Sequence, residues 1–465
     1  MRSRIEKFIT CKFGTGVDKY CNSVWYIATI GVVCIISHTF DIPITGAALV
    51  SLLMAIALIF SKNTFTLVPF ALMCSFVMSE ETSPQSGYFN VPWKIAVLCV
   101  ILILLIVAFL FNIIYYKKWK IMFKRAYLTV SLCLVTLFML SGGMFSPSYS
   151  GMSICMGLAI SVTMFIPYSL LINCGEYVGR KTVEYVAWTL ITASAVIFAA
   201  VIKQYIIHDL SMNYHPKDLI RFGYAISNTA AAFVVIALPL TFYMVYKSKF
   251  GFLYVLCVLM EVLTIALTFS RSSLIVAVPG TIIVSTVLCF KKKVGRIGYW
   301  IAYGLVFVAV VTIFIIYRRI FIDKIKELFV GDLTGNGRTD LWEFGYEAWK
   351  EFPIFGLSIW YLPPINNWYY SFHCTPLTYL YCTGIIGLSA YLYHRYKSVR
   401  LVFSAKLTSE RVFAALSILA MLCNALLDIA MTMPQHLLYY SIVLALIECD
   451  VKKVKTDKLL TENVK

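Results

Sequence analysis

Residues 92–116 read PWKIAVLCVILILLIVAFLFNIIYY, and residues 117–125, which follow directly, read KKWKIMFKR. A helix needs about 20 apolar residues to cross a hydrocarbon core of about 30 Å, and the first stretch is longer than that. The second stretch is a basic cluster of the kind that stays on the cytoplasmic side of a membrane. Together they predict a transmembrane helix and the direction in which it crosses.

Apolar runs of this kind recur along the whole chain. It has 465 residues, 60% of them hydrophobic and only 14% charged, and its mean hydropathy is +0.81. Soluble domains carry about 25% charged residues, and a span in lipid satisfies its backbone groups as a helix. The sequence therefore predicts an all-α polytopic membrane helix bundle of about 12–14 transmembrane helices. The 14 candidate spans lie near 22–38, 42–60, 64–79, 92–116, 126–141, 152–173, 184–206, 223–246, 252–269, 273–290, 298–317, 374–394, 411–428 and 434–449.

The basic residues predict the orientation of the bundle. The net charge is +17, and most lysines and arginines fall in segments that an internal N-terminus places in the cytoplasm, including 117–125, 291–296 and 452–458. This asymmetry follows the positive-inside rule and predicts that both termini are cytoplasmic. Orientation and contact with anionic lipid account for the charge, so we expect no nucleic-acid partner. No cleavable signal peptide is expected.

The expected organisation is simple. Residues 1–450 form one polytopic membrane domain, in which 318–373 is a long loop outside the cytoplasm, and 451–465 are a charged cytoplasmic tail. The 14 cysteines are scattered singly, without the spacing of a metal site. Walker A, GxGxxG and HExxH patterns are also missing from the sequence, so neither a metal nor any other cofactor is expected.

The long loop contains a predicted surface helix. Residues 335–357 read GNGRTDLWEFGYEAWKEFPIFGL. Residues 339–350 predict an amphipathic helix that has Thr339 as its N-cap and ends before Pro353. We expect it to lie along the bilayer surface. The predicted apolar side consists of Leu341, Trp342, Tyr346 and Trp349.

Arg338 and His373 are the first candidates for chemistry. Arg338 opens the surface helix, where unpaired N–H groups and the guanidinium would form an anion site, unless the side chain is a solvated loop charge. His373 lies where the loop re-enters the membrane. Its imidazole would act as a base near neutral pH, or it would simply be a polar residue at the interface.

Two further arginines lie at predicted outer boundaries. Arg271, in the turn between two closely spaced spans, would either grip a pyrophosphate through paired N–H donors or reach lipid headgroups. Arg221 directly precedes a span and is either a boundary charge or part of the same site. Glu261 and Asp428 lie inside or at the edge of spans, where each would be a proton-coupled site or a buried group paired with Arg or Tyr.

The remaining histidines are weaker candidates. Nothing apolar fixes His208 or His215 in their loop. His394 is predicted to be cytoplasmic, and His436 lies in a late span.

About residues 220–395 resemble the O-antigen ligase/polymerase superfamily of bacterial envelope glycosyltransferases. The similarity lies in the order of short motifs: an arginine before an Asn-x-x-Ala span start, a Ser-Arg-Ser turn, Arg-x-x-x-Trp followed by Pro-x-x-Gly, and a histidine before a Thr-Gly-Ile-Ile-Gly-Leu span. The residues that carry these motifs are Arg221, Asn228, Ala231, Ser270, Arg271, Ser272, Arg338, Trp342, Pro353, Gly356, His373 and 383–388.

The resemblance implies roles for these residues. The turn arginine, Arg271, and the loop arginine, Arg338, would hold the pyrophosphate of an undecaprenyl-linked donor, together with Arg221, and His373 would activate the acceptor hydroxyl. The chain departs from the family at two positions. It has His373-Cys374 where the family often has His-Asn, and Gly356-Leu357-Ser358 where the family often has Gly-x-Gly.

The resemblance also implies a function. We expect a metal-independent, inverting glycosyltransferase of the bacterial cytoplasmic membrane that polymerises lipid-linked repeat units of a surface polysaccharide at the outer face. An O-antigen ligase that transfers polymer to a lipid A core or another acceptor is one alternative, and a flippase of lipid-linked saccharide is another. Expected partners are the undecaprenyl-pyrophosphate-linked donor, a saccharide acceptor, membrane lipid, and a chain-length regulator or flippase of the same pathway.

Overall fold

The computed structural model describes residues 6–7, 9–69, 92–207, 221–222, 225–316, 318, 338–361, 364–365, 368–369, 372–428 and 432–462. Fifteen α-helices lie in this described part. They are α1 (Lys12–Cys21), α2 (Val24–Thr39), α3 (Pro43–Phe60), α4 (Pro92–Tyr115), α5 (Thr129–Ser141), α6 (Gly151–Cys174), α7 (Arg180–Ile207), α8 (Ser227–Lys247), α9 (Gly251–Leu267), α10 (Arg271–Lys291), α11 (Arg296–Ile316), α12 (Arg338–Glu351), α13 (Thr375–Val402), α14 (Ser409–Ala425) and α15 (Pro434–Glu462).

The all-α polytopic membrane bundle is confirmed. Six of the described helices, α3, α4, α6, α7, α8 and α10, are long and apolar enough to cross a membrane, and α1 with α2 forms a pair bent by 67° that qualifies as one further span. Of the 14 predicted spans, the one at 64–79 falls largely outside the described residues. The other 13 each coincide with a helix. The chain is therefore a multi-pass membrane protein.

Helix α8 forms the centre of the bundle. In its most apolar window 89% of the residues are buried, against 22% for α4 at the periphery. Alanine and β-branched residues fill α8, so that α7, α9 and α14 pack closely around it. The leucines and isoleucines of α4 are largely exposed, as expected for a span whose surroundings in lipid are as apolar as its side chains.

The predicted surface helix is present as α12, with two differences. It begins at Arg338, so Thr339 lies inside the first turn and the prediction that it caps the helix is wrong. Leu341 is buried, whereas Tyr346, predicted on the same side, is 46% exposed. The buried side of α12 rests on α13, where Gly345 lets the helix approach Tyr381 closely.

The predicted span at 374–394 is not a regular helix. Gly384 has φ 70° and ψ −172°, which breaks α13 into two parts, 375–383 and 385–402. Hydropathy gives no sign of this break because both parts are apolar. Two short antiparallel strand pairs also lie in the described part, Arg221–Phe222 with Ala225–Ile226 and Pro364–Ile365 with Trp368–Tyr369.

We call the end of the bundle to which α12 docks the loop end. At the opposite end, polar groups hold the last helices together. The fully buried guanidinium of Arg411 pairs with Asp450 at 2.8 Å. His394, predicted to be cytoplasmic, is instead buried inside the bundle, because α13 continues to Val402, and its ring contacts Ser131 and Tyr440.

Candidate functional site

Helix ends converge at the loop end: α8, α10, α13 and α15 begin there, and α9 and α14 end there. Asp428, three residues after α14, links two of the other ends. It contacts His373, just before α13, and Ser272, in the first turn of α10. Residues that are far apart in the sequence thus converge on one buried carboxylate.

His373 and Asp428 form the centre of this cluster. His373 Nδ1 lies 3.3 Å from Asp428 Oδ1, and 22% of the imidazole side chain is exposed against 7% of the carboxylate side chain. The Thr375 hydroxyl donates to the Asp428 backbone carbonyl at 3.1 Å. If Nδ1 carries the proton and donates a hydrogen bond to Asp428, the lone pair of Nε2 is left for a substrate, as in other His–carboxylate pairs.

The backbone at His373 is strained. Its φ is 47°, in the left-handed region that costs a non-glycine residue of order 1–3 kcal/mol. Such strain persists where the surrounding structure fixes the residue, and it is concentrated at functional sites. The contact with Asp428 on one side and the start of α13 on the other fix His373 here.

The Ser-Arg-Ser turn has the predicted shape. Helix α9 ends at Leu267 and α10 begins at Arg271, so the connection is short and Ser270 lies at the N-cap position. Ser272 Oγ is 3.5 Å from Asp428 Oδ2, and Asn424 Nδ2 donates to Ser273 Oγ at 2.9 Å. Among the described residues, Arg271 has neither an ion-pair nor a hydrogen-bond partner, and it is adjacent in the chain to Ser272, which contacts the carboxylate.

The backbone of Arg338 is connected to the same cluster through α12. The Trp342 indole, one turn after Arg338, donates to the carbonyl oxygen of Phe372 at 2.7 Å. Tyr381 Oη donates to the Trp342 carbonyl at 3.1 Å. Because four residues rise about 6 Å along a helix, the start of α12 lies close to His373. The side chain of Arg338 lies outside the described part.

Arg221 is placed less directly. It lies in the first short strand, and its side chain is also outside the described part. The strand pair leads into α8, whose Thr229 carbonyl lies 3.1 Å from His436 Nε2 on α15. His436 packs against Phe233 of α8, and α8 packs against α10 as α15 does against α13. Thus α8 and α15 border the cluster, while the position of the Arg221 guanidinium remains a prediction.

Sequence reasoning missed the role of Asp428. A carboxylate at the edge of a span had been expected to pair with Arg or Tyr, or to stand alone, and the structure pairs it with His373. The other such carboxylate, Glu261, is fully buried on α9 and accepts a hydrogen bond from Thr241 on α8 at 2.8 Å. It links α8 and α9. No signal within one sequence distinguishes these two carboxylates.

A comparison with known families covers most of the segment that carries the resemblance. The family model described as O-Antigen ligase matches residues 253–392. The resemblance to the O-antigen ligase/polymerase superfamily is confirmed over this segment. No curated protein matches the chain.

The matched segment contains Arg271, Arg338 and His373, whereas Arg221 and Asp428 lie outside it. The match supports an O-antigen ligase/polymerase type of activity, with a lipid-linked glycan donor and a saccharide acceptor in general.

Proposed function

We propose that this protein is an inverting glycosyltransferase that polymerises undecaprenyl-pyrophosphate-linked repeat units of a surface polysaccharide. The observation that carries the proposal is the contact of His373 with Asp428 beside the Ser-Arg-Ser turn. It supplies an oriented base beside the turn that carries Arg271, and both His373 and this turn lie within the segment that matches the ligase family model.

In the proposed reaction, Asp428 accepts the Nδ1 proton of His373 in a hydrogen bond and thereby fixes the tautomer. Nε2 then takes the proton of an acceptor sugar hydroxyl as its oxygen attacks the anomeric carbon of the donor sugar. The bond from that carbon to the pyrophosphate oxygen breaks, and undecaprenyl pyrophosphate leaves. General-base assistance of this kind contributes typically about 10²–10⁴-fold in rate.

The proposed role of the arginines is to bind the leaving group. Negative charge grows on the pyrophosphate as the bond breaks, and stabilising a developing charge is usually the largest catalytic effect. Arg271 lies in the turn that contacts Asp428 through Ser272, and among the described residues it makes no ion pair or hydrogen bond. Arg338 and Arg221 are the further pyrophosphate ligands that we propose, and with these cations the reaction would proceed without a metal ion.

We place the site at the outer face of the bacterial cytoplasmic membrane. The distribution of basic residues supports this, because it directs the opposite end of the bundle towards the cytoplasm. Residues 1–450 would then be one membrane domain, with 318–373 as its catalytic loop and 451–465 as a cytoplasmic tail, the first part of which continues α15 as a helix to Glu462. A flippase or a chain-length regulator of the same pathway would be a partner.

A ligase is the second candidate, and the description of the matched family model favours it. The same base and cations would serve, with a lipid A core or another saccharide as acceptor. Product analysis distinguishes the two, since only a polymerase elongates lipid-linked repeat units when no other acceptor is present.

The transporter alternative is weakened by the way the broken helix is filled. Transporters expose the ends of broken helices to their substrate. In α13 the backbone groups at the break are instead hydrogen-bonded to residues 353–358. Glu261, the carboxylate inside a span, accepts a hydrogen bond from the Thr241 hydroxyl.

The test uses purified protein in detergent with undecaprenyl-pyrophosphate-linked oligosaccharide as the only substrate. Wild type is expected to produce longer glycans, and His373→Ala to produce them at least about 10²-fold more slowly. His38→Ala is the matched control, because that imidazole lies at the end of α2 and takes no part in the Asp428 cluster. Undiminished elongation by His373→Ala, or translocation in liposomes without elongation, would contradict the proposal.

A further inference from the structure

The break in α13, at Gly384, separates the half-helix that follows His373 from the rest of α13. In a membrane, a broken helix leaves backbone N–H and C=O groups without partners, at a cost of several kcal/mol each. Residues 353–358, which follow α12, fill this break. We call residues 353–358 together with the break at 382–384 the buckle.

Hydrogen bonds close the buckle on both sides. The residues 353–358 donate to the last carbonyls of the first half of α13 and accept from the first N–H groups of the second half. The bonds are Leu357 N–H to the Tyr381 carbonyl at 2.8 Å, Ser358 N–H to the Cys382 carbonyl at 3.0 Å, Ile385 N–H to the Pro353 carbonyl at 3.0 Å and Ile386 N–H to the Ile354 carbonyl at 3.4 Å. The backbone groups at the break are thus satisfied by protein.

Two glycines make this close approach possible. Gly356 has φ 72°, and a Cβ there would lie 2.6 Å from backbone atoms of residues 382–384. Gly384 has φ 70°, and a Cβ there would collide with the Ile354 carbonyl. The Pro-x-x-Gly and Thr-Gly motifs therefore belong to one structure, in which two backbones cross without side chains between them.

Ser358 is the strained member of the buckle. Its φ is 124°, in a region that favours glycine, and it stands where the family often has glycine. The buried Ser358 hydroxyl donates to Ser153 Oγ on α6 at 2.6 Å. This bond offsets the strain and ties the buckle to a helix of the bundle.

The buckle holds both elements that lead into the candidate site. Helix α12, which begins with Arg338, ends two residues before it, and the half-helix 375–383 begins two residues after His373 and ends in it. Since α13 is broken, the half-helix is not held by the rest of its own helix. We propose that the buckle is a positioning element that holds His373 against Asp428. Ser358 is the positioning residue within it.

The kinetic part of this inference rests on the proposed function. Ser358→Ala removes the two bonds of the hydroxyl, to Ser153 Oγ and from the Trp360 N–H, and keeps the strain, whereas Ser358→Gly removes the two bonds and the strain. We therefore expect Ser358→Ala to lower kcat for elongation by about 2- to 10-fold, an effect on the order of one or two hydrogen bonds. Ser358→Gly should retain more activity than Ser358→Ala because glycine adopts φ 124° freely. KM for the lipid-linked donor should stay unchanged in both.

The control is Ser161→Ala, since Ser161 also lies on α6 but donates to the Gly157 carbonyl of its own helix and the Thr136 carbonyl of α5, not to the buckle. A second measurement does not depend on activity. Hydrogen–deuterium exchange should become faster in Ser358→Ala at residues 372–383 and stay unchanged at 387–402, with Ser358→Gly closer to wild type.

Equal kcat and equal exchange in Ser358→Ala and wild type would overturn the inference. So would a greater loss in Ser358→Gly than in Ser358→Ala, the order expected if the side chain alone mattered. If wild type elongates nothing while the exchange pattern follows the expectation, the proposed function fails and the buckle stands.

Discussion

Replacing Asp428 by asparagine tests the arrangement on which the proposed mechanism depends. The change removes the charge and keeps the size of the side chain, so His373 loses a charge-assisted hydrogen bond. Such bonds contribute about 1.5–3 kcal/mol. The 3.3 Å separation of Nδ1 and Oδ1 is longer than the about 2.7–2.9 Å of the strongest pairs, so the lower half of that range applies. At about 1.4 kcal/mol per tenfold change in rate, kcat should fall about 10- to 50-fold.

The assay is initial-rate elongation of lipid-linked oligosaccharide, measured over a range of donor concentrations. We expect KM for the donor to stay the same, since Asp428 orients the base and the cations bind the pyrophosphate. Asp450→Asn is the matched control, because Asp450 and Asp428 are both 5% exposed but Asp450 pairs with Arg411 at the opposite end. That variant should lose thermal stability and keep its kcat per folded molecule. A similar fall of kcat in both variants, or none in Asp428→Asn, would refute the reasoning.

Three further predictions concern single residues. Arg271→Lys keeps the charge but loses the planar pair of donors, so donor affinity, measured by titration with lipid-linked oligosaccharide, should fall about 10-fold. Ser272→Ala removes a 3.5 Å contact with Asp428 and should lower kcat about 2- to 3-fold; in a double-mutant cycle it should have no effect on top of Asp428→Asn. Lys118 is buried in the loop after α4, and burial lowers its pKa from 10.5 to about 8. Lys118→Met removes this buried charge and also the bond to Thr64, so the free energy of unfolding at pH 7 should rise by about 2 kcal/mol. Above pH 8 the unfolded chain binds more protons than the folded one, so wild type becomes more stable there. In thermal unfolding, the stability advantage of Lys118→Met should therefore be smaller at pH 10 than at pH 7. An equal advantage at both pH values would contradict the prediction.

Much of the fold followed from hydropathy alone. A helix in lipid has to be apolar along its whole length, so its position can be read directly from the sequence, as for α4 and α8. The surface helix α12 was also predictable, since its aromatic residues recur at helical spacing and Pro353 lies just beyond its end. The break at Gly384 was not predictable in this way. It depends on a segment about 30 residues earlier in the chain, whose backbone fits into α13.

The candidate site, like the break at Gly384, depends on contacts between segments that are far apart in the chain. Arg271, Arg338 and His373 were found because a charge near a membrane boundary is costly and needs an explanation. Asp428, which contacts His373 and Ser272, was not assigned to the site, since it lies 55 residues from His373 and 156 residues from Ser272. Only the packing of α10, α13 and α14 brings these three together. The matched family segment ends at residue 392, before α14, so the carboxylate that orients the proposed base comes from a part of the chain that the match does not cover. The proposed base and the turn that carries Arg271 therefore meet at one carboxylate, three residues after α14. A shift of α14 relative to α10 and α13 would separate the proposed general base from its orienting group even if every residue of the matched segment were intact.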